Sequence, residues 1–170
     1  MIQYKYYLAL ERAQGIGPAA LGEIHETVRA VNISVADLFS CTEQELRGEF
    51  TFSEPVYKGI REAVTLLEQV DDYYAQMIEA GISIVLFFEE RYPPLLHERL
   101  HNTIPPVLYM IGNPSVLSTR CAALLGHRDT SEKGIMIIHR AAQECARHRI
   151  TVCGGLSSGG GSAAHASAIE

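Results

Sequence analysis

Residues 150–165 read Ile-Thr-Val-Cys-Gly-Gly-Leu-Ser-Ser-Gly-Gly-Gly-Ser-Ala-Ala-His, an apolar β-branched run that enters five glycines and three serines. An alanine-rich stretch follows. This is the layout of a strand, a glycine loop and a helix N-terminus. Such a loop offers bare backbone N–H groups and a positive helix end to an anion, usually a phosphate. Gly155, Ser157, Ser158, Gly159 and Gly160 are the candidate contacts in it. A second polar loop, Leu125-Gly-His-Arg-Asp-Thr-Ser-Glu-Lys-Gly134, follows the apolar run Cys121–Gly126. After a strand and a glycine, Arg128 can hold a phosphate with both arms of its guanidinium. The competing reading is a solvated arginine paired with Asp129. Gly126, Ser131 and Lys133 lie in the same loop, and Lys133 adds charge to it. His165 has three readings: it orients the glycine loop, bonds a phosphate, or caps and packs a helix.

Other chemistries find little support. Ser157 and Ser158 lack a nucleophile-elbow pattern, and no Asp or Glu occurs in residues 145–169 for acid–base work. His97 and His101 are spaced as ligands on one helix face, but no third ligand is evident. The four cysteines, Cys41, Cys121, Cys145 and Cys153, contain no C-x-x-C pair and read as reduced thiols of a cytoplasmic protein. No catalytic residue, metal or cofactor is expected. The N-terminus lacks the apolar core of a signal peptide, and no apolar run approaches the roughly 20 residues of a membrane span.

The elements that must hold these loops are legible from periodicity. Residues 4–13 read as a helix, broken by Gly15 and Gly17, with Pro18 suited to the first turn of the next. Two helices joined by Gly-x-Gly form a helix-hairpin-helix pattern. Its turn amides can meet a DNA phosphate, or its glycines can merely let two helices pack closely. Short helices follow at Val35–Phe39 and after Thr42, whose partner Glu45 completes a capping box. Ser53 is the expected cap of a long helix that Gly81 stops. From Ile82 the pattern changes. Strands are expected at Ile82–Phe88, Ile104–Gly112, Cys121–Gly126 and Ile150–Cys153, with an amphipathic helix over Ile135–His148. The later alternation is that of a parallel doubly wound sheet, whose ligands gather beyond the carboxyl ends of its strands. That places Gly126–Arg128 and Gly154–Gly161 on one rim.

The fold class expected is α/β: a small all-helical domain over residues 1–80, then a partial Rossmann-like parallel sheet over 81–170. The charge is uneven. Residues 1–117 carry 8 Lys/Arg against 16 Asp/Glu, and residues 118–170 carry 6 against 4. The glycine loop therefore lies in the mildly basic part, as a local patch for a polyanion would require.

These residues resemble the DprA/Smf family of DNA-processing proteins. Gln14-Gly-Ile-Gly-Pro-Ala19 is similar to the family's early hairpin, and Gly81-Ile-Ser-Ile-Val85, Arg91-Tyr-Pro-Pro-Leu-Leu96 and Pro105-Pro-Val-Leu-Tyr-Met-Ile-Gly-Asn113 are similar to its domain junction. At the first sheet loop, Gly126, Arg128, Ser131 and Gly134 match, while His127 and Lys133 depart. At the second, Gly155, Leu156, Gly159 and His165 match. There Gly154 replaces a serine, Gly161 an acidic residue, and Ser158 a common arginine. The resemblance implies a helical domain of sterile-alpha-motif type joined to the N-terminal part of a truncated Rossmann-like domain. It also implies single-stranded DNA binding in natural transformation, partnership with a RecA-type recombinase, and a homodimer. The alternative is a nucleotide-binding sensor, or an enzyme like the phosphoribohydrolases of a related Rossmann fold, though the glutamate and arginine such enzymes need are not evident. A scaffolding protein with a vestigial loop is the third reading.

Overall fold

The computed structural model describes residues 2–169, with the backbone alone at Ile2 and Asn102. The chain forms two compact units, Met1–Gly112 and Asn113–Glu170.

The first unit begins with α1 (Ile2–Arg12), α2 (Pro18–Ala30), α3 (Val35–Ser40), α4 (Glu43–Glu49) and the long α5 (Glu54–Glu79). Pro18 occupies the first turn of α2, where its missing N–H has no partner to lose. Thr42 and Glu45 close the capping box of α4: Oγ1 of Thr42 accepts from the Glu45 amide at 3.3 Å, and the Glu45 carboxylate accepts from the Thr42 amide at 2.7 Å. Ser53 is extended as a cap should be, but its side chain makes no cap bond. Its carbonyl accepts from the Val56 and Tyr57 amides instead. Leu8, Leu10, Leu21, Ile24, Leu38, Leu46 and Ile60 are fully buried between these helices. A core of aliphatic side chains at helical spacing accounts for most of what holds such a unit together.

At the end of α5, Gly81 takes φ +73°, and the Ile82 amide reaches back to the Met77 carbonyl. That left-handed cap ends the helix. Then β1 (Ser83–Leu86) pairs antiparallel with β2 (Val107–Met110), Ser83 opposite Met110 and Leu86 opposite Val107. Between them lie α6 (Pro94–Leu100) and a 3₁₀ turn over His101–Thr103. The first strand is shorter than the apolar run that predicted it. The Glu89 amide bonds the Leu86 carbonyl, and Glu89 Oε1 accepts from the Leu86 amide at 2.7 Å, closing a turn. Phe88 stacks on His25 at 4.1 Å, and Phe87 meets the same ring edge-on at 5.1 Å.

Those contacts explain why the units divide at Gly112 whereas the composition changes at Gly81. Tyr109 of β2 donates to Glu11 of α1 at 2.5 Å. Tyr4 of α1 donates to Glu89 at 3.0 Å, and Arg91 ties Glu89, Tyr4 and the Ile84 carbonyl together. The β1–β2 hairpin is thus built into the helical unit.

The second unit is β3 (Cys121–Ala123), α7 (Glu132–Arg147), β4 (Thr151–Cys153) and α8 (Gly160–Ile169), after a 3₁₀ turn over Pro114–Ser118. β3 and β4 are parallel, Cys121 opposite Thr151 and Ala123 opposite Cys153. This is the βαβ unit of a Rossmann-like sheet, with α7 as the crossover and α8 following. α7 starts three residues before the expected Ile135 because Ser131 caps it, its Oγ accepting from the Gly134 amide at 3.3 Å. Among the described residues, no helix is long and apolar enough to cross a membrane.

Candidate phosphate-binding rim

The two loops that follow β3 and β4 touch. The Gly160 amide donates to the His127 carbonyl at 3.2 Å. A Cβ on Gly126 would lie 2.5 Å from the Gly160 Cα, so both positions must be glycine for the loops to approach this closely. Gly159 has φ +79°, and a Cβ there would press on the carbonyl oxygens of Arg128 and His127. A Cβ on Gly160 would meet Gly126 Cα at 2.7 Å and Ile138 Cδ1 at 2.8 Å. Three of the predicted contact glycines, Gly126, Gly159 and Gly160, are therefore packing glycines.

The amides divide along the same line except at Gly159, which is packed but keeps its amide free. Those of Gly160, Ser162 and Ala163 are taken by the carbonyls of His127, Ser157 and Gly159. Those of residues 155–159 donate to no described residue. Gly155 has open space where a Cβ would stand, and Ser157 and Ser158 are exposed. Unpaired, exposed amides preceding a helix N-terminus are what an anion can use.

Arg128 is exposed and makes no ion pair or hydrogen bond with any described residue. The expected competitor, Asp129, lies 3.8 Å from His127 Nδ1 instead, and the Asp129 amide donates to that same nitrogen at 3.1 Å. Lys133 is exposed in the first turn of α7. Ser131 belongs to the same loop, but its oxygen is engaged as the α7 cap. His165 Nε2 lies 3.3 Å from the Gly154 carbonyl, which ties α8 to the start of the glycine loop. Of its three readings, this contact supports the orienting one.

The departures from the family motif have a steric setting. A Cβ on Gly154 would stand 3.0 Å from the Leu124 carbonyl oxygen and 3.2 Å from His165 Nε2. A Cβ on Gly161 would stand 2.6 Å from Ser157 Oγ. The sequence reading placed His127 on the rim but missed the task of its carbonyl, and it missed Thr130. The His127 carbonyl accepts from both Gly160 and Thr130, and so fastens the two loops. A bond made through a main-chain carbonyl leaves no mark on side-chain identity.

The helical hairpin is placed differently. The Gln14 amide donates to Glu62 Oε2 at 2.9 Å, and a Cβ on Gly15 would lie 3.0 Å from the Pro55 carbonyl oxygen. A Cβ on Gly59 would lie 2.5 Å from Ile16 Cγ1. The turn is packed on α5 with a carboxylate on one of its amides, the packing reading rather than the phosphate one. Tyr92 is 2% exposed and donates to the Pro105 carbonyl at 2.7 Å, so it is a core residue. His97 Nε2 is 2.6 Å from the Phe87 carbonyl oxygen.

Three comparisons bear on these features. A family model described as DNA recombination-mediator protein A matches residues 83–170. No curated protein matches. The X-ray structure of DNA processing protein A (DprA) from Streptococcus pneumoniae matches with a TM-score of 0.67 and 19% identity. That match covers 97% of this chain and 53% of the other, so the chain spans about half the length of that protein. It supports the α/β architecture described above, a helical N-terminal part followed by a partial Rossmann-like sheet. With its family model covering just over half of the residues, the chain belongs to the DNA recombination-mediator protein A (DprA) family.

Proposed function

We propose that this chain binds single-stranded DNA through the rim, as a binding module in DNA processing and natural transformation that delivers the strand to a RecA-type recombinase. The single observation that carries the reading is the exposed, unpaired Arg128 on a loop fastened, through the Gly160 amide and the His127 carbonyl, to the loop that bears the free amides of residues 155–159. Arg128 and Lys133 supply charge. The amides of Gly155, Ser157 and Ser158 supply directed donors. Gly126, Gly159, Gly160 and His165 hold the loops in register.

Charge agrees with this assignment. The first unit carries 8 Lys/Arg against 16 Asp/Glu, and the second 6 against 4. The acidic unit also holds a cleft of about 820 Å³ lined by Tyr6, Tyr7, His25 and Arg29, and none of the proposed rim residues lines it. An open rim fits an extended polyanion better than an enclosed mononucleotide. We assign the protein to the cytoplasm, with homodimerisation as part of the same proposal.

The test is fluorescence anisotropy with a labelled oligothymidine at several salt concentrations. Affinity falls steeply with salt, and Arg128→Ala both weakens binding and lowers the log–log salt slope by about 0.7, the value of one phosphate on a single strand. Binding absent at low salt, or a slope unmoved by the substitution, refutes the reading. A thermal shift with mononucleotides and none with oligonucleotide favours the nucleotide sensor instead.

A further inference from the structure

We propose that Leu156, together with Leu125 on the facing loop, contacts the nucleobases of the bound strand; this rests on the reading of the rim as a single-stranded DNA site. Four described non-glycine residues have positive φ: Asn32, His101, Arg149 and Leu156. Asn32 and Arg149 are the left-handed residues that close helices. The Ile33 amide reaches the Val28 carbonyl at 3.0 Å behind Asn32, and the Ile150 amide reaches the Cys145 carbonyl at 2.8 Å behind Arg149. His101 opens the 3₁₀ turn at the end of α6.

Leu156 does none of this. It ends no helix, its amide bonds no described residue, and it sits at φ +51° with 67% of its surface exposed. A leucine in that conformation is strained, and an exposed one returns nothing to the core. Its neighbour Gly155 shows that glycine is at hand in this loop. Leu125, 79% exposed, precedes the Gly126 that packs on Gly160, so each of the two touching loops carries one bare leucine.

Strain at a ligand loop points toward function. The geometry here sets one exposed leucine among the free amides of residues 155–159 and a second on the loop fastened to them through Gly160 and His127. Unpaired nucleic acid has the complementary pair of groups, charged phosphate and apolar base face. Inorganic phosphate or polyphosphate would gain nothing from the leucines. Apolar contact tolerates any base and also suits the thymine methyl.

The experiment compares the full chain with its Leu156→Gly and Leu156→Asn variants on two labelled strands of equal length, oligothymidine and an abasic phosphodiester. Glycine and asparagine both accept positive φ, so the loop keeps its path and the thermal midpoint stays level or rises. Affinity for oligothymidine falls about tenfold, the equivalent of one leucine side chain returned to water. Affinity for the abasic strand changes less than twofold. Leu125→Ser in the Leu156→Gly background lowers oligothymidine affinity further. Equal losses on both strands, unchanged oligothymidine binding, or a lowered midpoint in Leu156→Gly overturns the inference. Should Arg128→Ala weaken binding while Leu156→Gly does not, the rim stands and only the base contact falls. Should neither strand bind the unsubstituted chain, the rim itself falls.

Discussion

The loop contact predicts opposite outcomes for one substitution made at two nearby positions. Gly159 sits at φ +79°, and a Cβ there would stand 2.7 Å from the His127 carbonyl oxygen and closer still to that of Arg128. Left-handed backbone costs an alanine about 1 kcal/mol. Both obstructing atoms are main chain and cannot rotate aside, so overpacking adds about 2 kcal/mol. Gly159→Ala should therefore destabilise the second unit by about 3 kcal/mol. In a domain of this size each kcal/mol moves the midpoint by roughly 4–8 °C, so the expected fall is about 12–24 °C. Gly155 has ordinary φ and open space within 4 Å of its Cβ position. Gly155→Ala should stabilise by about 0.4–1 kcal/mol by restricting the unfolded chain. Thermal unfolding followed by circular dichroism gives the midpoints. Hydrogen exchange at the Leu124 and Thr151 amides, bonded to the Cys153 and Arg120 carbonyls, reports the second unit alone. Equal protection in the two variants would refute the steric argument.

Two further outcomes follow from the first unit. Gly59→Ala in α5 gains about 1 kcal/mol of helix propensity. Its Cβ would nevertheless lie 2.5 Å from Ile16 Cγ1 and 3.0 Å from the Gln14 carbonyl oxygen. The net expected is a loss of about 1–2 kcal/mol in urea titration, and a gain would mean that Ile16 swings clear. Burial holds His25 below the ordinary histidine value of 6.5, Glu26 opposing that shift and Arg29 adding to it. The unfolded chain then binds the proton more readily. The stability that neutral His25 contributes is full above pH 6.5 and is lost as pH falls through the lower folded value. His25→Gln, measured by urea unfolding between pH 5 and 8, should flatten that slope, and an unchanged slope would assign it to other groups.

Much of the fold was legible because local signals agreed with one another. Pro18, the Thr42–Glu45 box and Gly81 each marked a helix end that the structure places there. The alternation from Cys121 onward gave the βαβ unit, and the rule for parallel sheets brought Gly126–Arg128 against the glycine loop. Failures came where long-range contacts decide. Phe87 and Phe88 have strand propensity, but their partners are His25 and Tyr7, which no short-range pattern announces. The unit boundary moved to Gly112 for a similar reason, since Tyr109 finds Glu11 nearly a hundred residues away.

The glycine loop carries two demands that the sequence alone merged. A phosphate cradle wants flexible residues with free amides. Two loops in contact want residues without side chains and with bonded amides. The structure separates them along the chain. Gly160 is buried with its amide on His127, and Gly159 stands against two carbonyls, whereas residues 155–158 are exposed with amides unpaired. The closure at Gly159 and Gly160 is what holds the free amides still. A flexible loop would lose entropy on every binding event, and a fastened one has lost it during folding. Gly161 and Ser158, which replace an acid and a base of the family motif, then remove charge without removing the scaffold. On the proposed reading of the rim, phosphate binding depends on the Arg128 charge together with the directed amides, and substitutions at the closure should weaken it without touching the ligand.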